Sequence, residues 1–173
     1  MAINKNTSLK EALELAPACM CGKCSHGCKM GSGMLDGDDA KNIAKFLKIS
    51  EDDLKEKFLE EVWLFNQKKL RPKILRGEKA YGKCIFYDGK LGCKVHEVKP
   101  LQCKIATGCK DCGEDLMAWF TVNFVVDKND AESIRQYSQY LKSGGKLIPG
   151  AELKNLVPDK EKLRKILSYE IMK

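Results

Sequence analysis

Apolar residues recur at helical spacing along most of the chain, and the pattern gives way twice to stretches of cysteine and glycine. Leu9, Ala12, Leu13 and Ala16 share one face of a helix over residues 8–16, and Pro17 ends it. A second helix begins near Asp38 with Ala40, Ile43, Ala44 and Leu47 as its stripe. Ser50 with Asp53 reads as a capping box for a third, with aspartate in place of the usual Glu or Gln. Leu54, Phe58, Val62 and Phe65 would form that helix's buried face. Residues 116–126 are apolar on nearly every side, which predicts a buried helix, with a central strand as the alternative. Asn129 is placed to cap the next helix, striped by Ala131, Ile134, Tyr137 and Leu141 and ended by Gly144 and Gly145. A loop to Pro158 follows, then a last amphipathic helix over 159–172 with Leu163, Ile166, Leu167 and Ile171 on one face.

Between these helices the pattern changes. Residues 67–83 carry seven basic side chains against the single acid Glu78, and Pro72, Gly77 and Gly82 argue against one continuous helix. This segment reads as a solvated connection, or as a contact surface for an acidic partner. Residues 84–87 and 91–95 read as two short strands around Asp88-Gly89, a hairpin signal. Pro100 suits the first turn of a short helix carrying Cys103.

The 173 residues are enough for one domain with its own core. The N-terminal ten residues are polar and charged, unlike a signal peptide, and the longest apolar-rich run has 11 residues, too few to span a bilayer. The expectation is a soluble, cytosolic protein with no membrane partner. In a reducing compartment nine cysteines point to metal ligation or thiol chemistry rather than a disulfide frame, and the odd count agrees. The formal charge of +7 treats every thiol as neutral. Four thiolates on a divalent metal carry a net charge of about −2, so two such sites would leave a modest positive balance. With 27 lysines and 4 arginines the chain is poor in the residue that reads bases and phosphates bidentately, which weakens a nucleic-acid reading.

The cysteines fall in two groups. Cys19, Cys21, Cys24 and Cys28 lie within ten residues, read as a glycine-rich loop; Cys84, Cys93, Cys103, Cys109 and Cys112 lie within 29. Cys21-x2-Cys24 and Cys109-x2-Cys112 are chelating pairs, and Cys28 is within reach of the first. The candidate ligands are Cys21, Cys24, Cys28, Cys84, Cys93, Cys103, Cys109 and Cys112, arranged as two four-sulfur sites or as one cluster with extra thiols. Cys19 is the odd one out. All-thiolate sites suit zinc and iron–sulfur clusters alike. His26, inside the first group, could ligate or move a proton, but reads first as a surface residue; His96 packs or faces solvent. Asp36, Asp38 and Asp39 are explained by helix capping. Tyr81, Tyr87, Trp119 and Phe120 read as core or as a shell around the metal. There is no Gly-rich phosphate loop, Ser-His-Asp arrangement or S-adenosylmethionine motif, and Cys-x2-Cys-x3-Cys reverses the radical-enzyme signature.

The order Cys21-Gly22-Lys23-Cys24-Ser25-His26-Gly27-Cys28, then Gly82-Lys83-Cys84-Ile85-Phe86-Tyr87, Gly92-Cys93-Lys94-Val95-His96 and Lys99-Pro100-Leu101-Gln102-Cys103, resembles the zinc- or iron-chelating CxxCxxxCC cysteine-cluster family (YkgJ-type). The resemblance covers about Cys21 to Cys103, roughly half the chain. Two positions depart from it. The last cysteine of the motif is Lys29, and the arginine of the family's Arg-Pro-x2-Cys block is Lys99. The resemblance implies metal chelation. A related domain in flagellin lysine methylases is associated with an iron–sulfur cluster, which favours iron–sulfur over zinc.

Together these readings predict a mainly α-helical single domain over 1–173, with about six helices and one short β-hairpin organised around cysteine-ligated metal. The cysteine core would span about 19–113 and a helical part 114–173. The expected cofactor is one or two [4Fe–4S] clusters, with Zn2+ as the alternative. The function classes are electron transfer or cluster carriage with a redox or protein partner, cluster-assisted catalysis near Lys29, and a zinc-stabilised interaction module meeting an acidic or RNA partner.

Overall fold

The computed structural model describes residues 2–16, 22–106 and 112–172, with the backbone alone for 22–24. The chain divides into two compact units: Met1–Leu15, Trp63–Lys68 and Asp111–Lys173 in the first, Ala16–Val62 and Lys69–Lys110 in the second.

The second unit is built from four helices, α2 (Gly22–Met30), α3 (Asp39–Leu47), α4 (Glu51–Phe58) and α5 (Leu101–Ile105), and from short strand pairs. Ser50 caps α4 as its spacing predicts: its Oγ accepts from the Asp53 amide at 3.0 Å and donates to the Asp53 carboxylate at 2.7 Å. Helix α3 turns Ile43 and Ala44 inward onto Leu54, Leu59, Phe86 and Val95, the centre of this unit's core. Removing such side chains from water is the main favourable contribution to folding, ~25 cal/mol per Å2 of apolar surface. Strands β1 (Leu59–Leu64) and β2 (Gln67–Pro72) pair as a hairpin. Strand β3 (Ile74–Leu75) pairs antiparallel with β4 (Lys83–Cys84), and β5 (Tyr87–Asp88) with β6 (Gly92–Cys93). A methyl group on Gly82 would run into the Leu75 carbonyl, so the return to β4 needs a glycine there.

The first unit holds α1 (Leu9–Leu15), α6 (Gly113–Phe120), α7 (Ala131–Lys142), α8 (Leu153–Leu156) and α9 (Lys160–Leu167). Ser8 and Glu11 close a capping box on α1, with the Ser8 amide donating to Glu11 Oε2 at 2.8 Å. Helix α6 runs on through a π-helical turn, Thr121–Val125, and this segment buries Leu116, Trp119, Phe120, Val122 and Val125. The β1–β2 tip belongs to this unit. Phe65 and Asn66 both have positive φ, 49° and 56°, the signature of a two-residue type I′ turn. Phe65 is buried edge-on against Tyr137 and Tyr140. Asn66 donates from its backbone to Gln136 and from its side chain to Asp130.

Several expectations are corrected. The helix from Ser50 ends at Phe58, and Val62 and Phe65 lie in the hairpin that follows. Asp130, not Asn129, caps α7, accepting from the amides of Glu132 and Ser133 at 2.8 and 3.1 Å. The last helix stops at Leu167, where Tyr169 takes φ of 64°. Three strand pairs replace one hairpin, and nine α-helices are present among the described residues. The expected buried helix over 116–126 and the turn at Asp88 hold: Asp88 Oδ1 accepts from the amides of Lys90 and Leu91 at 2.8 and 3.0 Å. No helix of the described residues is long and apolar enough to cross a membrane.

Candidate metal centre

The first cysteine group is helical from Gly22 on, where a glycine-rich loop was expected. Glycine is a weak helix former, but Gly27 meets nothing that a side chain would disturb. Cys24 and Cys28 stand four residues apart on α2, a spacing that brings positions onto one helical face. Helix α2 lies beside β4, which carries Cys84. The β5–β6 hairpin sets Cys93 opposite Tyr87. Cys103 sits on α5, whose first amide, on Leu101, donates to the carboxylate of Asp39 at 2.9 Å. Asp39 is only 6% exposed and also accepts from the Asp36 amide at 2.9 Å. It ties the start of α3 to the start of α5. Sequence spacing gave no sign of this, because the partner lies 62 residues away.

These elements bring Cys28, Cys84, Cys93 and Cys103 into electrostatic reach of one another. Cys103 feels the other three, and Cys84 feels Cys28 and Cys93. Three of the sulfurs accept backbone amides: Cys84 from Phe86 and Tyr87, Cys93 from Val95, and Cys103 from Gly33. Such donors stabilise a thiolate and orient it toward a shared ion. Burial acts the other way. It pushes the Cys84 thiol up to about 11 and the Cys103 thiol up to about 12, and it raises Cys93 as well. The ammonium of Lys99 offsets part of the rise at Cys93. Without metal these thiols are neutral at pH 7, and a bound cation would have to displace their protons.

The other candidates are placed differently. Cys112 belongs to the first unit, and its thiol donates to the Leu15 carbonyl at 3.7 Å. Cys19, Cys21, Cys109 and the side chain of Cys24 lie outside the described residues. Among the described residues no three His, Cys, Asp or Glu side chains converge closely enough to hold one ion together, and no disulfide joins the five described cysteines. His26, His96 and Lys29 are exposed. Trp119, Phe120 and Tyr87 are buried as expected; Tyr81 is exposed, with the Lys79 ammonium 5.9 Å from its ring centre.

The basic segment over 67–83 is largely engaged within its own chain. Arg71 and Arg76 both pair with Glu60 at 2.8 Å, Lys69 pairs with Asp36 at 3.2 Å, and Lys73 donates to the Glu56 carbonyl at 2.7 Å. These half-buried ion pairs occupy charge that an acidic partner would need.

The described donor set is sulfur throughout, half-buried or buried, and supplied with amide donors. That set suits a thiophilic ion, zinc or iron, and does not suit Mg2+ or Ca2+, which take oxygen ligands. A family model described as "CxxCxxCC: Putative zinc- or iron-chelating domain" matches residues 19–121, more than half of the chain. No curated protein and no solved structure matches.

Proposed function

The chain belongs to the CxxCxxCC family of zinc- or iron-chelating domains, and from that premise we propose that it binds an iron–sulfur cluster through its cysteines and serves in electron transfer or cluster carriage. The single observation that supports this most is the grouping of Cys28, Cys84, Cys93 and Cys103 in one unit, with backbone amides donated to three of the sulfurs. Cys21, Cys24, Cys109 and Cys112 complete the proposed ligand supply, for one [4Fe–4S] cluster or two. A bound cluster would supply one-electron redox capacity, with a potential set by hydrogen bonds to sulfur and by burial. The chain's own part is to hold the sulfurs, to donate amides to them and to keep bulk water from Cys84 and Cys103. A carrier of this kind works with a protein redox partner.

A structural zinc site is the second reading. It is favoured by the short turns after Cys84 and Cys93, whose amides two and three residues on serve a zinc tetrathiolate as readily as a cluster. The two readings part on one sample. Protein purified without oxygen is expected to show a broad band near ~400 nm with iron and sulfide. A colourless protein holding zinc alone would overturn the cluster and keep the chelation. Metal content unchanged by both Cys84→Ser and Cys103→Ser would overturn the chelating reading at these residues.

A further inference from the structure

Gly33 lies on a strap, residues 31–36, that crosses α5 at Cys103. The strap is held from several sides. Ser32 Oγ donates to the Pro72 carbonyl at 2.5 Å, the Met34 amide to Gln102 Oε1 at 2.5 Å and the Leu35 amide to the Leu70 carbonyl at 2.8 Å. Met34 and Leu35 are buried, and Asp36 pairs with Lys69. The strap therefore has little freedom to move away from α5. A methyl group on Gly33 would stand 2.5 Å from Cys103 Sγ, 3.1 Å from the Cys103 amide nitrogen and 3.3 Å from Gln102 Cβ. Gly33 is not among the glycines with positive φ, so backbone conformation does not explain a glycine here. The space it leaves is filled by the sulfur, and its own amide donates to that sulfur.

We propose that Gly33 is a positioning residue for Cys103, fixing where that sulfur stands relative to Cys28, Cys84 and Cys93; the inference rests on the chelating function proposed above. Cysteine turns about one side-chain bond, so the clash of a Cβ at position 33 with Sγ is relieved by rotating Sγ away, while the tight contacts with the Cys103 amide nitrogen and Gln102 Cβ stay in both states. A thiol without metal makes that rotation cheaply. A thiolate that must reach a shared ion cannot make it without leaving the ion. The loss that comes from displacing Sγ is thus specific to the metal-bound protein, which a merely structural glycine would not show.

The test uses the full chain, stripped of metal, reduced and kept free of oxygen, with cobalt(II) as the probe. Sulfur-to-cobalt absorption counts the thiolates on the ion. The wild type is expected to give the intensity of a four-sulfur site. Gly33→Ala is expected to lose about one quarter of that intensity per cobalt and to bind cobalt about tenfold more weakly. Its metal-free unfolding midpoint should fall only by what the contacts with the Cys103 amide nitrogen and Gln102 Cβ cost, and by the same amount in a Cys103→Ala background. Gly31→Ala, which meets nothing within 4 Å, should match the wild type throughout. In a Cys103→Ala background the change at 33 should have no further effect on cobalt absorption or affinity. Wild-type absorption and affinity in Gly33→Ala would overturn the proposal and leave the chelating reading standing. So would a further loss in the Cys103→Ala background, or a double variant that cannot fold where Cys103→Ala alone can. A wild type without sulfur-to-cobalt absorption would overturn the chelating reading and the role of Gly33 with it.

Discussion

The metal-free protein should lose stability steeply between pH 7 and pH 10, and the metal-loaded protein should not. Burial lifts the thiols of Cys84 and Cys103 from an ordinary value of 9.0 to about 11 and about 12. At pH 7 they are protonated in the folded and the unfolded chain, and the stability that goes with the neutral form is fully present. As pH rises past 9.0 the unfolded chain sheds protons that the folded chain retains, so that stability drains away. At pH 10, one unit above the ordinary value, each thiol costs about 1.4 kcal/mol, and the two together about 3 kcal/mol. Cys93, raised by burial too, adds in the same direction. The assay is urea unfolding at both pH values, followed by circular dichroism on reduced protein. With a urea slope of ~1–3 kcal/mol per molar, the midpoint should fall by about 1–3 M. Tyr137, lifted to about 12 by burial, also responds near pH 10, as do groups away from this site. A Cys84→Ala/Cys103→Ala variant carries those groups unchanged, so the difference between the two proteins isolates the thiols. In loaded protein the ligating sulfurs are ionised at both pH values, and their part of the loss should vanish. An equal loss in wild type and double variant would refute the reasoning.

Three further changes probe the fold, one in the second unit and two in the first. Asp39→Ala leaves the amides of Asp36 and Leu101 without their acceptor and should cost about 1–3 kcal/mol in thermal unfolding, while Asp39→Asn, which keeps one oxygen, should recover most of it and hold metal content near wild type. Arg135 is 7% exposed, donates to the carbonyls of Ile166, Ile171 and Met172, and lies 4.7 Å from the Tyr169 ring centre. Arg135→Met should expose the chain after Leu167 to carboxypeptidase, read as faster trimming by mass spectrometry, with about 1–3 kcal/mol lost. Phe65→Ala, which empties the site against Tyr137 and Tyr140, should cost about 3–5 kcal/mol in urea unfolding, less the strain that φ of 49° imposes on a bulky side chain.

What the sequence made legible was local. The Ser50–Asp53 box and the Asp88 turn depend on partners within four residues, and both formed as read; the short helix after Pro100 formed too, but its first amide is held by Asp39 from 62 residues away. The hairpin of β1 and β2 is hidden in the sequence because Leu54, Phe58, Val62 and Phe65 keep spacings of four, four and three residues that imitate a helix. What holds Phe65 and Asn66 in a tight turn comes from Tyr137, Tyr140, Gln136 and Asp130, some seventy positions on, and no window sees it. Gly33 and Asp39 were in view as a glycine-rich stretch and an acidic cluster, but their partners lie on α5. In the first cysteine group the glycines suggest a loop, while the four-residue spacing of Cys24 and Cys28 fits the helix that forms.

The charge of the site links these observations. Burial is the largest influence on all three raised thiols, and it opposes ionisation at each. Four thiolates on a divalent ion would carry a net charge of about −2 into that setting, which is costly unless fixed dipoles and cations answer it. Four backbone amides aim at the sulfurs, and Lys99 draws down the thiol of Cys93. Lysine at this position, where the family pattern has arginine, keeps the charge and gives up the bidentate fork. Lys29 answers the other departure. It is exposed, in the last turn of α2, where a cation is favoured by the helix dipole. One residue on from Cys28, it is turned about 100° around the helix axis from it. On the chelating reading the missing sulfur is therefore supplied from outside α2, beyond Cys103, which already fills the last cysteine position of the family pattern and feels Cys28, Cys84 and Cys93 together.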